Sequence, residues 1–254
     1  MSAAFQVVIP ARLGSTRLPR KVLRDIGGRP LVQYTWDAAR KSGAESVIIA
    51  TDDQEVRDAC LKFGADVRMT AITHNSGTDR VNEIAHGVGW SDATVVVNLQ
   101  GDEPLMPAAL IRQAAELLQG DAAAHIATLC HPLQSVEEWL NPNIVKLVMD
   151  QQHHARYFSR APIPWQREGA TREKPQLPAG LAFRHIGIYA YRVAALRRFS
   201  ELPSGVLENC EALEQLRALE NGLCIRVGIT DNPPPRGVDT EDDLKVVTAL
   251  LTGR

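Results

Sequence analysis

The chain has no apolar run approaching the ~20 residues that a membrane-crossing helix needs. Its opening, MSAAFQVVIP, passes straight into polar sequence, without the long apolar core and cleavage site of a signal peptide. Cysteine is scarce: Cys60, Cys130, Cys210 and Cys224, with no CxxC pair among them. That argues against zinc and disulfides, and the apolar or helical surroundings of all four predict buried free thiols. A cytoplasmic protein is expected from these absences. No sign of charge dominates either. With 28 Lys and Arg against 30 Asp and Glu, the net charge is −2. A nucleic-acid coat or a membrane-surface binder needs a broad basic face, so neither is expected. Neither GxxxxGK[ST] nor GxGxxG occurs, which disfavours the two commonest nucleotide-binding loops. No repeat, low-complexity tract, Ser-His-Asp set or Cys-His set stands out.

What is present is an alternation. Residues 5–10 (FQVVIP), 46–51 (SVIIAT), 65–69 (ADVRM) and 94–98 (TVVVN) read as strands rich in Val and Ile. Three of them are nearly continuous apolar runs, as parallel strands covered on both faces should be. Between them, 30–43, 53–64 and 78–89 carry apolar residues at helical spacing, and each ends in Gly. This β-α-β-α-β-α-β order predicts an α/β fold with a doubly wound, mostly parallel sheet. After Gly120 the pattern loosens. Strands are expected in IATLCHPL, IVKLVMD, FRHIGIYAYR (183–192) and LCIRVGIT (223–230). Residues 208–222 predict one amphipathic helix, and TEDDLKVVTALL a closing one. Residues 166–181, polar and rich in Pro and Gly, are the expected mobile loop. The organisation expected is a single α/β domain with an inserted, partly antiparallel smaller lobe. Residues about 1–120 and 223–254 form its main part, and about 121–222 the lobe.

Three stretches carry chemistry. PARLGSTRLPRK places Arg12, Arg17, Arg20 and Lys21 directly after the first strand, with Arg24 just beyond. Ligands of open α/β sheets bind beyond the carboxyl ends of strands. There Arg12 acts as a planar fork and Lys21 as a point charge for phosphate oxygens. Gly14 permits a tight turn, and Ser15 and Thr16 offer hydroxyls. A solvated basic loop is the competing reading. NLQGDEP turns abruptly polar at the end of the fourth strand, putting Asp102 and Glu103 at the same edge. Carboxylates beside a phosphate site point to Mg²⁺, whereas a Pro- and Asp-containing turn is the bland alternative. In RGVDTEDDL, Thr240 and Asp243 form a T-x-x-D capping pair, which leaves Asp239 outside the cap without a structural task. It is either a second metal carboxylate or a turn residue. In HNSGTDR, Thr78 is the expected cap of the third helix. Arg80 then sits in its first turn, against the helix dipole, near an anion or a polar base. Arg160, His185 and Tyr189 lie in the second lobe, where they suit a ligand with carboxylate and hydroxyl groups.

Taken together, IPARLGSTRLPRK, HNSGTDR, NLQGDEP, NPNIVKLVMD, YFSRAPIPW, RHIGIYAYR, LENCEALEQLR and GVDTEDDL, in that order, resemble the 3-deoxy-manno-octulosonate (Kdo) cytidylyltransferases. The opening motif is also similar to that of the sialic-acid cytidylyltransferases. The resemblance implies transfer of CMP from CTP to Kdo with release of pyrophosphate. It further implies Mg²⁺, a homodimer, and a place in lipopolysaccharide synthesis in the cytoplasm of Gram-negative bacteria. By the same resemblance, Arg12, Ser15 and Lys21 meet the triphosphate, Arg80 and Gln100 place the cytidine, and Asp102 and Asp239 hold the metal. Arg160, His185, Tyr189, Glu214 and Gln215 bind the sugar acid. A cytidylyltransferase for an amino analogue of Kdo or for a sialic acid is the alternative within enzymes. A nucleotide sensor without turnover is the alternative outside them. The apolar residues of IGIYAY and 208–222 are the expected dimer surface.

Overall fold

The structure is a computed structural model. It describes residues 4–253 except positions 16, 169, 170, 172 and 236. The strands are β1 (Gln6–Pro10), β2 (Asp25–Ile26), β3 (Arg29–Pro30), β4 (Ser46–Thr51), β5 (Asp66–Met69), β6 (Val95–Asn98), β7 (Ile126–Pro132), β8 (Lys146–Met149), β9 (Ala155–Ser159), β10 (Phe183–Arg192) and β11 (Ile225–Ile229). The helices are α1 (Leu31–Lys41), α2 (Gln54–Leu61), α3 (Gly77–Val88), α4 (Ala108–Gln119), α5 (Val136–Leu140), α6 (Val193–Glu201), α7 (Val206–Glu211), α8 (Gln215–Glu220) and α9 (Glu241–Thr252). Among the described residues, β2 and β3 pair alone and the other strands form a nine-stranded sheet. Its main path runs β11-β7-β10-β6-β1-β4-β5.

The first half follows the alternation in the sequence. β1 pairs in parallel with β4 and β6, and β4 with β5. All five residues of β1 are buried, because helices cover both faces of the sheet. Adjacent side chains divide between the two layers. Val7 and Ile9 join the core under α1, α2 and α4, while Val8 joins the core under α3, α6 and α8. β10 reverses direction and pairs antiparallel with both β6 and β7, whereas β7 and β11 are parallel. Every other strand on the main path therefore points the same way. The antiparallel extension is β8 and β9, attached through the first residues of β10. β7 and β10 lie within the main sheet rather than apart from it.

Several expectations change here. Residues 208–222 do not form one helix. α7 ends at Ala212, which takes the left-handed conformation (φ 51°, ψ 51°), and α8 restarts at Gln215. The reason is external: the Arg160 guanidinium draws in the carbonyls of Glu211 (2.7 Å) and Ala212 (3.4 Å). The cap of α3 is Ser76, in a reciprocal box with Asp79, not Thr78, which is buried. Thr240 and Asp243 do form the box that opens α9. Cys60 and Cys130 are buried, and burial pushes both thiols up to about 12. Cys224 is half-buried, and Cys210 is exposed, contrary to expectation. Leu213 and Leu216, proposed as dimer surface, are buried in the chain's own core together with Ile186 and Ile188. Within 166–181 the described residues form no helix or strand; positions 169, 170 and 172 of that loop lie outside them.

Candidate active site

The carboxyl ends of β1 and β6 are forced together. Gly101 donates its N–H to the Pro10 carbonyl (3.3 Å), and a Cβ at 101 would stand 3.0 Å from that oxygen. Glycine is needed there for the close approach. The Thr35 hydroxyl, fully buried, donates to the Gly101 carbonyl (3.1 Å) and fixes the crossing from below. Asp102 follows directly. Its carbonyl accepts from Val238 N–H (3.0 Å), which brings the segment carrying Asp239 alongside. A small apolar cluster of Leu18, Ile26, Leu31, Val238, Leu244 and Val247 pins the basic loop to this segment and to α9.

These contacts converge on Lys21, whose Nζ donates to Asp102 (2.5 Å) and Asp239 (2.9 Å). Burial acts to lower the Lys21 pKa. The two carboxylates outweigh it and hold the ammonium above its usual range. Arg17 makes a second ion pair with Asp239 (3.1 Å). Asp239 therefore has partners, which its position in the sequence concealed. Arg20 and Arg24 turn away to Glu55 and Glu241. Arg12 is exposed on the wall of a cavity of about 340 Å³, together with Ser15, Lys21, Gln100, Asp102 and Asp239. Ser15 Oγ accepts from Leu18 N–H (3.3 Å) and shapes the loop. Thr16 lies outside the described residues.

A second cavity, of about 570 Å³, opens on the other side of the same carboxylates. Arg17, Asp102 and Asp239 line both cavities; Glu103, Arg160, Arg184 and His185 line only the larger. His185 Nε2 bonds to Thr128 Oγ1 (2.9 Å), and that hydroxyl donates to the Ile188 carbonyl (2.8 Å). The ring's proton is thus on Nε2, and Nδ1 is its acceptor. Burial, then the nearby Arg184 charge, lowers the His185 pKa to about 3, so the imidazole is neutral. Its ring lies 5.3 Å from that of Tyr189. Tyr189 Oη and Glu214 Oε1 are buried with no hydrogen-bond partner among the described residues. Glu214 Oε2 accepts from the Thr78 hydroxyl (3.0 Å). Gln215, half-buried, opens α8.

Two expected site residues hold partners within the chain. Arg80 is buried on the far side of α3, bound to Asp52 (2.6 Å), Thr70 (2.7 Å) and the Ala71 carbonyl (3.1 Å). Its charge is answered by Asp52. Arg160 directs its guanidinium to the carbonyls of Pro142, Glu211 and Ala212, so it braces the larger cavity. Two further residues emerge. Arg17 was visible only as one cation among several. Glu103 was placed with Asp102 at the strand end but given no role of its own. Burial, then repulsion from Asp102 and Asp239, raises its carboxyl to about 8, against the pull of Arg184 and Lys21. A Cβ at Gly237 would lie 2.5 Å from Glu103 Oε1, so any side chain there would have to displace the Glu103 carboxylate. The signal in the sequence was the G-V-D spacing, read then only as part of a turn.

No group of three or more His, Cys, Asp or Glu side chains is arranged to hold a metal among the described residues. The pair available is Asp102 and Asp239, converging on one ammonium. That pair fits a hard cation completed by phosphate oxygens, the usual Mg²⁺ arrangement. No helix among the described residues is long and apolar enough to cross a membrane.

A sequence model of the family described as Cytidylyltransferase matches residues 6–227. The chain is 52% identical over 252 residues to a 3-deoxy-manno-octulosonate cytidylyltransferase of Pseudomonas syringae pv. tomato, covering 99% of both chains. It is 50% identical to the protein of the same name from Pseudomonas fluorescens, again with 99% of both covered. Among solved structures, it matches a CMP:2-keto-3-deoxy-manno-octonic acid synthetase complexed with CTP. The TM-score is 0.89, with 40% identity and 99% of each chain covered. A cytidylyltransferase from Leptospira borgpetersenii, 15% identical, shares the fold alone (TM-score 0.63, 99% of this chain and 88% of that one). The chain belongs to the cytidylyltransferase family, among its 3-deoxy-manno-octulosonate cytidylyltransferases.

Proposed function

We propose that this chain transfers CMP from CTP to Kdo, giving CMP-Kdo and pyrophosphate for lipopolysaccharide synthesis in the cytoplasm. The observation that carries this reading is the shared wall of the two cavities, Arg17, Asp102 and Asp239. A transfer needs two substrates to meet at one charged point, and this wall is that point. The smaller cavity takes the nucleotide. Arg12, Arg17 and Lys21 receive the phosphates, Ser15 shapes the loop beneath them, and Gln100 faces the base. Arg80 supports the base side by tying residues 70 and 71 to Asp52. The larger cavity takes the sugar acid, with His185 and Arg160 on its wall and Tyr189, Glu214 and Gln215, which lie outside that lining, assigned to its hydroxyls. In domain terms, about 1–120 and 223–254 bind the nucleotide, and about 121–222 bind the sugar acid.

In the reaction, the anomeric hydroxyl oxygen bonds to the α-phosphorus and loses its proton to water. The bond to the bridging oxygen breaks, and pyrophosphate departs with the electron pair. Asp102 and Asp239 would hold Mg²⁺, which when bound supplies Lewis-acid polarisation of phosphate and hydroxyl oxygens. Lys21, kept charged by the carboxylates, is a cation that the arriving phosphates can take over, placing fixed positive charge where negative charge develops. No protein nucleophile takes part. A homodimer through residues 121–222 is part of this reading. Its support is the exposed Leu181, Val206 and Leu207 in that region, and a monomer mass by light scattering at micromolar concentration would remove it.

The test is pyrophosphate release from CTP, ATP and GTP with a panel of Kdo, its amino analogue and sialic acid. CTP with Kdo should dominate, because polar groups matched to one base and one sugar are left unpaired with others. Equal turnover with ATP, or faster turnover with sialic acid, would overturn the assignment.

A further inference from the structure

A chain of hydrogen bonds starts at Gln100, on the wall of the smaller cavity. Gln100 Nε2 donates to Asn98 Oδ1 (3.3 Å), Asn98 Nδ2 to Thr78 Oγ1 (3.4 Å), and the Thr78 hydroxyl to Glu214 Oε2 (3.0 Å). The chain runs from the nucleotide cavity to Glu214, the carboxylate assigned to the sugar acid. Its direction follows from its end. A carboxylate only accepts, so Thr78 must donate to it. Thr78 can then accept from Asn98 only through Nδ2, which turns Oδ1 toward Gln100 and requires Nε2 there. All three dipoles point the same way, so each bond polarises the next.

Asn98 and Thr78 are each only 2% exposed. At that exposure their polarity has no surface role. α3 is pressed against the same spot. A Cβ at Gly77 would lie 3.1 Å from Pro10 Cγ and 3.4 Å from Gln100 Nε2. The first turn of α3 therefore packs against Pro10 and the Gln100 amide. At the other end, burial acts to raise the Glu214 carboxyl, and the Ser76 and Thr78 hydroxyls oppose it. The charge on Glu214, and the readiness of Oε1 to accept from a sugar hydroxyl, thus depend on donors delivered by α3.

We propose that Asn98 and Thr78 are positioning residues that couple the two sites, so that a base held by Gln100 orders Glu214 for the sugar acid. The inference rests on the assignment of Gln100 to the base and Glu214 to the sugar acid. A base donor on the Gln100 carbonyl oxygen makes its amide a stronger donor and tightens each bond downstream. Coupling of this kind is reciprocal: the sugar acid raises CTP affinity by the factor by which CTP raises its own.

The experiment is amide hydrogen exchange with and without CTP, in wild type, Thr78→Val and Thr78→Ser. It is paired with calorimetric titration of Kdo with and without CTP in EDTA, where turnover is stopped. In wild type, CTP should protect residues 12–21 and also 213–220, and should tighten Kdo binding about tenfold. Thr78→Val should keep the first protection and lose both the second and the tenfold effect. Thr78→Ser, which retains the hydroxyl, should behave as wild type, a rescue that a packing role would not give. If Thr78→Val melts far below wild type, Asn98→Ser cuts the chain at its other joint and should show the same loss. Protection at 12–21 without any change at 213–220, or a change that survives both cuts, would overturn the coupling alone. No protection at 12–21 in wild type would bring down the nucleotide assignment, and the coupling with it.

Discussion

The two sides of the cleft solve opposite problems. On the phosphate side the groups are charged and wet: the Arg17 side chain is 68% exposed and that of Asp239 46%. Their ion pairs are internal and exchangeable. On the sugar side His185 and Tyr189 are half-buried and neutral. His185 is held down to about 3, and burial keeps the Tyr189 phenol well above its ordinary value. A triphosphate brings several charges and needs cations that can change partners at little cost. A sugar brings hydroxyls, and selectivity for them comes from buried polar atoms that are unsatisfied until the right ligand arrives. Tyr189 Oη and Glu214 Oε1 are in that state.

The largest effects should come from the charged side. Lys21→Met and Asp239→Asn should each lower turnover by about 10²–10³, the scale for losing one preorganised electrostatic contact. Both should change stability by less than about 1 kcal/mol, since these pairs are part-exposed. The Thr240–Asp243 cap of α9 stays intact in either variant. CTP should still bind Asp239→Asn, because Arg12 and Lys21 remain. Turnover measured across Mg²⁺ concentrations, with CTP affinity and a melting curve, checks both. Near-normal turnover of Asp239→Asn at limiting Mg²⁺ would reduce Asp239 to a turn residue that happens to pair with Lys21.

Removing a group on the neutral side should act in the opposite sense on stability. Tyr189→Phe deletes a buried hydroxyl that lacks a partner, so the free protein should gain about 1 kcal/mol. The KM for the sugar acid should rise roughly tenfold, with CTP affinity unchanged. A loss of stability on that substitution would mean that Tyr189 Oη has a structural partner after all, and the contrast between the two sides would fail.

pH sharpens the same contrast. His185 has a folded pKa of about 3, below the 6.5 of an ordinary histidine. The unfolded chain therefore binds more protons than the folded one between these values. The stabilising contribution is complete above pH 6.5 and is lost as pH falls toward 3. Arg184 adds to the cost of charging the ring, and the Phe158 and Tyr189 rings that flank it offer no counter-charge. His185→Gln keeps a donor near Thr128 and removes the titration. Its melting temperature should fall less steeply than that of wild type between pH 6.5 and pH 4. Parallel curves would show that acid sensitivity arises elsewhere.

The charged side was legible in the sequence because it is local. Lys21, Asp102 and Asp239 each follow a strand or open a helix, where chain geometry alone puts them at one edge of the sheet. The basic loop and the abrupt turn after β6 are written in contiguous residues. On the neutral side His185 and Tyr189 could be singled out from their strand, but Glu214 and Gln215 came only by resemblance, because they lie at the start of α8 and approach β10 through tertiary packing. The break between α7 and α8 could not be read at all. Leu213, Leu216 and Leu219 keep helical spacing across it, and its cause, Arg160, lies some fifty positions earlier. The setting of Arg80 was hidden for a related reason: its answering charge, Asp52, sits at the end of a different strand.

That break is the smallest lever and the most diagnostic of long-range design. Ala212 is exposed and held at φ 51°, ψ 51°. A left-handed alanine costs about 1–2 kcal/mol, while glycine there loses about 0.5–1 kcal/mol through its freer unfolded state. Ala212→Gly should therefore stabilise the protein by up to about 1 kcal/mol. The Arg160 contacts to Glu211 and Ala212 go to backbone carbonyls and are kept, so turnover and the KM for the sugar acid should not move. Arg160→Lys, which cannot span the three carbonyls as the planar fork does, should let α7 and α8 drift and raise that KM. Urea melts of both variants, with steady-state kinetics, decide between two accounts. If Ala212→Gly raises stability without changing kinetics and Arg160→Lys does the reverse, the kink is imposed by the site. If Ala212→Gly loosens the sugar-acid KM instead, the alanine itself holds Glu214 in place, and the arginine follows.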